Sequence, residues 1–429
     1  MQTAIKTRWL QYQLQKNQKP HRRNSLLPKI LIAGIYFNSF FSFVLTPAVG
    51  QIPHKPAIPS QPKSSQLGQQ LLEQVLQCTQ SKLLNQQTLN QTESEAVTTK
   101  CALQIVALAP DGSFRPDAIA RMSAFIEASG IQLPQRIAKG QANVKLDLIA
   151  NSSSFTIPVR IGRQTYTFLI DTGSGHTVIN AEIAKQLKLE STPLPSGLLE
   201  NKPVIGNNLK NLQTSAYILP TISVNSASVS GLYALGLPAQ SFPENVSGVL
   251  GLDFLSNFDV VLNPQKRQLQ LLPPSQPVAN AIPLKGNFGI MTAQVYINDQ
   301  GPFSFAIDTG AYTMMVSKPL AQKLGIDEPK AEKTAIFGFG GTEVVKKAKL
   351  NQIKIQQRQA TNLDAIILEQ SKILNLPGIE GIIGQNFLNK YQQYWRFSKP
   401  NAIGIVESGS LFLTPLSPNY SPGDITYLR

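Results

Sequence analysis

The chain has 429 residues, 42% of them hydrophobic, which is enough for two or three domains with sizeable cores. Its formal net charge is +14, but residues 1–50 hold seven Lys/Arg and no acid, so half of that excess lies in the first fifty residues. The remaining +7 is spread thinly, with no basic run interleaved with aromatics, and nucleic acid is therefore left out of the expected partners.

Residues 1–29 are basic and polar, and Ile30 to Leu45 is a 16-residue apolar stretch interrupted by Asn38 and Ser39. Ala48-Val-Gly50 then brings small residues before Gln51. This is the pattern of a signal peptide over 1–50, cleaved near Gly50. The alternative is an uncleaved anchor, with membrane association through residues 30–45, for which the stretch is short. Either way the rest of the chain is expected to be exported, periplasmic or extracellular, and no later segment is apolar enough to span a membrane.

Residues 51–65, rich in Pro, Gln and Ser, read as a linker. From 66 to 140 the pattern is helical: Leu71, Leu72, Val75 and Leu76 form a stripe at helical spacing, Cys101 to Leu108 continues it, and Pro116 to Glu127 reads as a third helix. Cys78 and Cys101 are the only cysteines. On neighbouring helices of an exported protein they are expected to form a disulfide, the alternative being two reduced buried thiols. With no Cys-x-x-Cys and only three histidines (His21, His54, His176), no metal site and no cofactor are expected.

Short β runs follow. Phe155 to Ile161 and Tyr166 to Ile170 flank Gly162-Arg-Gln, and Thr292 to Ile297 and Phe303 to Ile307 flank a turn at Asn298-Asp-Gln-Gly-Pro. Each hairpin runs into Asp-Thr-Gly. The first reads Asp171-Thr172-Gly173-Ser174-Gly-His-Thr-Val178-Ile179; the second reads Asp308-Thr309-Gly310-Ala311-Tyr-Thr-Met-Met315-Val316. A second echo follows each: Gly248-Val-Leu-Gly251-Leu-Asp253 lies 80 residues after the first aspartate, counted to Gly251, and Gly381-Ile-Ile-Gly384-Gln-Asn386 lies 76 after the second, counted to Gly384. Two motifs in one order at one spacing mark a duplicated unit rather than a solenoid array. The expected units are 150–275 and 283–408, joined by the Pro-rich run from Leu272, with a tail over 409–429 that shows no clear structure.

An aspartate held between a strand end and a Thr-Gly turn sits at a fixed place. Glycine admits a close neighbour, and threonine bonds locally. Two such aspartates brought together cannot both ionise cheaply, so they share a proton and can serve one water as base and acid.

Both units resemble aspartic proteases of the retropepsin/pepsin group, whose paired signature is hydrophobic-Asp-Thr-Gly-Ser/Ala followed by hydrophobic-hydrophobic-Gly. The similarity runs over about 155–275 and 285–407. It implies an all-β fold of two pseudo-symmetric β-barrel lobes preceded by a small helical region. It also implies a peptide or protein substrate, and an aspartic endopeptidase with Asp171 and Asp308 as catalytic residues. Thr172, Gly173, Ser174, Thr309, Gly310 and Ala311 would form the active-site turns. Val178, Ile179, Met315 and Val316 would line the cleft. Phe337-Gly338-Phe-Gly340-Gly341 falls where the group has a glycine-rich flap; it lacks the Gly-Lys-Ser/Thr ending of a phosphate loop. With only Val204-Ile-Gly206 as the first unit's nearest equivalent, one principal flap is expected.

The sequence also departs from the group. The acid that retroviral members carry after Asp-Thr-Gly is replaced by Gly175 and Tyr312, and its partner arginine by Leu252 and Gln385. Tyr312 and His176 are candidate cleft walls or simply loop packing. The first lobe's Ser174, facing Ala311 in the second, is expected to hydrogen-bond Asp171 and leave the shared proton on Asp308. A non-catalytic peptide-binding protein on the same fold, and pairing of lobes between two chains rather than within one, are the alternatives. The region 51–150 could be a propeptide, an inhibitor or a docking module.

Overall fold

The computed structural model describes residues 66–84, 91–110, 115–130, 135–150, 152–193, 214–276, 278–287, 289–326, 331–368, 378–401 and 404–417. The expected signal or anchor, the 51–65 linker and residues 418–429 lie outside them.

Three helices come first, Gln66–Leu84, Gln91–Ala102 and Ala118–Ala128, with a π-helical turn at Leu103–Ala107. Leu71, Val75, Met122 and Phe125 meet between them at 5% exposure or less. The disulfide Cys78–Cys101 clips the first two helices together, with Cα atoms 5.8 Å apart. Among the described residues no helix is long and apolar enough to cross a membrane.

The rest is β structure in two curled sheets. In the first lobe Phe155–Ile161 pairs antiparallel with Gln164–Ile170 through a tight turn in which Gly162 takes a positive φ. The second lobe repeats this with Ile290–Ile297 and Gln300–Ile307. Asn298 and Asp299 both adopt positive φ at that turn, the conformation a two-residue hairpin loop demands. In each lobe the strand leading to Asp-Thr-Gly pairs parallel with the strand of the second motif, Phe168 opposite Gly248 and Phe305 opposite Gly381. That strand also pairs with the one leaving the turn, Val178–Asn180 or Met314–Ser317. The second motif is thus wedged between entry to and exit from the turn in both lobes.

Six strands at one end of the larger, 13-stranded sheet join the lobes. Their order is Ala142–Lys145, Gln268–Leu272, Asp259–Asn263, Tyr391–Phe397, Ser408–Pro415, Ile282–Asn287, three strands from each side of a central antiparallel pair in which Val261 faces Tyr394. The buried Asp259 carboxylate accepts the Tyr394 hydroxyl at 2.6 Å and the Ser275 hydroxyl at 2.6 Å, with Arg396 Nε 3.9 Å away. The lobes therefore pair within one chain.

Three expectations change here. The tail read as unstructured from 409 begins with the strand Ser408–Pro415, whose Leu411 and Leu413 turn inward by ordinary alternation despite the prolines beyond. The strands Ile137–Lys139, Ala142–Lys145 and Asp147–Leu148 precede the first lobe's hairpin, where no strand pattern stood out. The first lobe also pairs Ser191–Pro193 with Ser215–Ile218 at the flap position; Val204 and Gly206 lie outside the described residues.

Candidate active site

The two Asp-Thr-Gly turns are cross-linked by four hydrogen bonds. Thr172 N donates to Thr309 Oγ1 at 3.0 Å and Thr309 N to Thr172 Oγ1 at 3.1 Å. Each hydroxyl donates in turn to the opposite strand, Thr172 Oγ1 to Ile307 O and Thr309 Oγ1 to Ile170 O, both at 2.9 Å. The glycines complete the exchange. A Cβ on Gly173 would lie 2.4 Å from Asp308 Cγ, and one on Gly310 would lie 2.6 Å from Asp171 Cγ, so only glycine lets each carboxyl rest on the opposite turn.

Behind each turn stands the second motif. Leu252 N donates to Ser174 O and Asp253 N to Gly175 O; Gln385 N donates to Ala311 O and Asn386 N to Tyr312 O. Gly251 and Gly384 are required there because a Cβ would meet the turn's backbone, at His176 O and Thr313 O, at 2.3 Å in both lobes. Asp253 and Asn386 then tie the strand leaving the turn: Thr177 Oγ1 donates to Asp253 Oδ1, and Met314 N to Asn386 Oδ1. Both residues stand at the same place in the repeat, which was the available signal of their role. Ser153 and Ser154 had no such signal. Their hydroxyls reach across the lobes to Tyr312 O and Gly310 O.

The Asp171 carboxyl is buried and that of Asp308 half-buried, and each acts on the other's ionisation. Burial, and next the charge of Asp308, hold the Asp171 carboxyl well above the usual range. Burial raises Asp308 too, opposed by the hydrogen bond from Asp171 and by backbone donors, Gly310 N at 2.7 Å and Ala311 N at 3.2 Å from Oδ1. The expectation that the Ser174 hydroxyl bonds Asp171 is not met. That hydroxyl donates to His176 O at 2.8 Å, closing its own turn instead of reaching the carboxylate.

One apolar cluster is shared by the two lobes. Leu169, Val178 and Val249 come from one lobe and Ala306, Met315 and Ile382 from the other, with Ile336 and the half-buried Phe339 of the hairpin Lys333–Gly338/Gly341–Ile355 over them. Val178 and Met315 both belong to this cluster. Ile179 and Val316 do not: they alternate to the opposite face and pack in the main core. Phe337 is 43% exposed on the outer face of its hairpin, while Phe339 at the tip stacks edge-on against Phe242 of the first lobe at 5.9 Å. Gly338, Gly340 and Gly341 form that tip. The Tyr312 ring packs against the cleft cluster. His176 is only 2% exposed, behind the turn, with Nδ1 3.8 Å from Asp253 Oδ2. Burial and then the Arg136 guanidinium push its pKa well below the usual value.

The same cluster includes part of the helical unit: Ala107 and Ala118, with Leu103, Leu108 and Ile119 packed against it. That unit also rests on Tyr233 and Ile218 of the first lobe and on Ile405 of the second. Among the described residues no group of His, Cys, Asp and Glu is arranged to hold a metal ion.

The family model of the "gag-polyprotein putative aspartyl protease" matches this chain twice, over residues 157–257 and 293–390, one match in each lobe. A comparison with curated proteins finds no match in sequence. Among solved structures, a retropepsin-like aspartic protease from Rickettsia conorii is similar at 21% identity and a TM-score of 0.24, covering 32% of this chain and 94% of its own. The aspartic proteinase from Irpex lacteus is similar at 12% identity and a TM-score of 0.37, covering 64% and 98%. Basic 7S globulin from soybean is similar at 10% identity and a TM-score of 0.36, covering 68% and 100%.

Proposed function

The two lobes are retropepsin-like aspartyl-protease lobes, and from that premise we propose that the chain is an aspartic endopeptidase that hydrolyses peptide bonds with a water held between Asp171 and Asp308. The observation that carries this reading is the reciprocal seating of the carboxyls, each lying on the glycine of the opposite turn.

In this mechanism Asp308, eased toward its ionised form by Gly310 N and Ala311 N, takes a proton from the water as the water oxygen attacks the scissile carbonyl carbon. Asp171 gives its proton to the carbonyl oxygen, so the tetrahedral intermediate is a neutral diol. Collapse returns the hydroxyl proton to Asp171, the proton on Asp308 passes to the leaving nitrogen, and the C–N bond breaks. The dyad ends as it began. The apolar walls at Val178, Met315, Val249 and Ile382 exclude bulk water and favour apolar side chains. No step requires a cofactor.

The disulfide fits an exported protein, periplasmic or extracellular, and the apolar stretch at 30–45 would take it there as a signal or an anchor. The single-chain pairing of the lobes suits a monomer.

The test is digestion of a peptide library by the purified chain, with Asp171→Asn and Asp308→Asn alongside and a statine-type transition-state mimic as inhibitor. Each single variant is expected to be inactive, because one carboxyl cannot both accept and donate. If either keeps more than about a tenth of the wild-type rate, the shared-water mechanism is wrong.

A further inference from the structure

Among the paired residues 333–338 and 341–346, the cleft side of the flap hairpin carries one charged residue. In its antiparallel ladder Thr334 stands opposite Val345, Ile336 opposite Glu343 and Gly338 opposite Gly341. Residues directly opposite one another share a face, and successive residues alternate. Ile336 and Val345 belong to the cluster that lines the cleft, so Glu343 is directed to the same side, one pair nearer the tip than Val345. The other face carries Ala335, Phe337, Thr342 and Val344, all exposed, and by the same alternation the hairpin's lysines 333 and 346. Glu343 is 9% exposed, and among the described residues its carboxylate has no hydrogen-bond or ion-pair partner.

A carboxylate on this face offers a counter-charge to a cation that arrives with the ligand. We propose that Glu343 is a specificity-determining residue of the cleft, selecting peptides that place a Lys or Arg side chain beneath the flap. The apolar walls take the hydrocarbon stem of such a side chain and the carboxylate takes its head, a division that long cationic side chains suit. The inference rests on the peptidase reading, which supplies the peptide, but the selection itself depends only on binding.

Matched peptides carrying Lys, Arg, norleucine or Glu at each position in turn would be compared by kcat/KM for the wild type and for Glu343→Gln and Glu343→Lys. At one subsite the wild type should prefer Lys or Arg over norleucine by about tenfold or more. The Lys/norleucine ratio should fall to about one in Glu343→Gln and invert toward the Glu peptide in Glu343→Lys. A merely structural role would lower all the rates together and leave the ratio unchanged, and an unchanged ratio overturns the proposal. The same peptides would be titrated against the full-length Asp171→Asn chain by fluorescence anisotropy. Discrimination that persists in binding, and is lost on adding Glu343→Gln, supports the inference even if no peptide is ever cleaved. Equal binding of the Lys and norleucine peptides, or no binding of either, overturns it.

Discussion

Replacing Thr172 by Val tests whether the cross-linked turns hold the lobes together. The change keeps the side chain's shape and removes its hydroxyl. Two of the four hydrogen bonds that cross-link the turns disappear: Ile307 O loses the donor at 2.9 Å, and Thr309 N loses its acceptor at 3.1 Å. Both lie in a buried site where water does not readily replace the lost partner; Thr172 is 2% and Thr309 1% exposed. Each orphaned backbone group costs about 1 to 3 kcal/mol, so the pair costs roughly 2 to 6, and burying the extra methyl returns about 1. A net loss of about 3 kcal/mol is expected, a large share of an ordinary domain stability of about 5 to 15. Urea unfolding followed by tryptophan fluorescence would measure it, Trp395 being fully buried in the strand at the centre of the inter-lobe sheet. Thr172→Ser keeps both bonds and should stay within about 1 kcal/mol of the wild type. If Thr172→Val unfolds within about 0.5 kcal/mol of the wild type, the hydrogen bonds contribute nothing net and the argument fails.

Burial raises the Asp253 carboxyl to about 6, so the folded state binds this proton more tightly than the unfolded chain does. The stability that this gives is complete below about pH 4 and is lost as pH rises through about 6, an effect on the order of 2 to 3 kcal/mol. Asp253→Asn does not titrate, so its stability relative to the wild type should rise between pH 4 and pH 7 in urea titrations; parallel curves would contradict the shift. Ser174→Ala should leave both limbs of the kcat/KM–pH profile in place, because the hydroxyl bonds His176 O and not the dyad; a displaced acidic limb would show that it reaches Asp171 after all. Residues 135–429, which keep the strand Ile137–Lys139 and its pairing with the first lobe, should cleave peptides faster than the full chain, since Ala107, Ala118 and their neighbours no longer cover the cleft walls. A soluble, folded fragment that is slower than the full chain would make the helical unit a support rather than a cover.

The amino-acid order alone determined the duplicated Asp-Thr-Gly, its downstream glycine echo, the hairpins and the pairing of Cys78 with Cys101. All of these are local in sequence or repeat at a fixed spacing, and each follows from what one residue type permits: glycine where another chain must pass, cysteine where only one partner exists. The strand Ser408–Pro415 escaped notice because its prolines suggest a loop, whereas its place is fixed by strands 120 or more residues earlier and by its neighbour Tyr391–Phe397. Which of two adjacent apolar residues faces the cleft was equally undecided. Val178 and Ile179 are interchangeable as text, and only the sheet they enter sets one toward the ligand and the other into the core. The same holds for charge. Ser174 looked like a partner for Asp171 until the turn closed and gave its hydroxyl to His176 O. The repeat thus fixed which groups come together, because two copies of one motif must meet about a twofold axis. Where a side chain points and what covers it were decided by tertiary structure, because alternation, burial and long-range hydrogen bonds depend on neighbours far away in the chain.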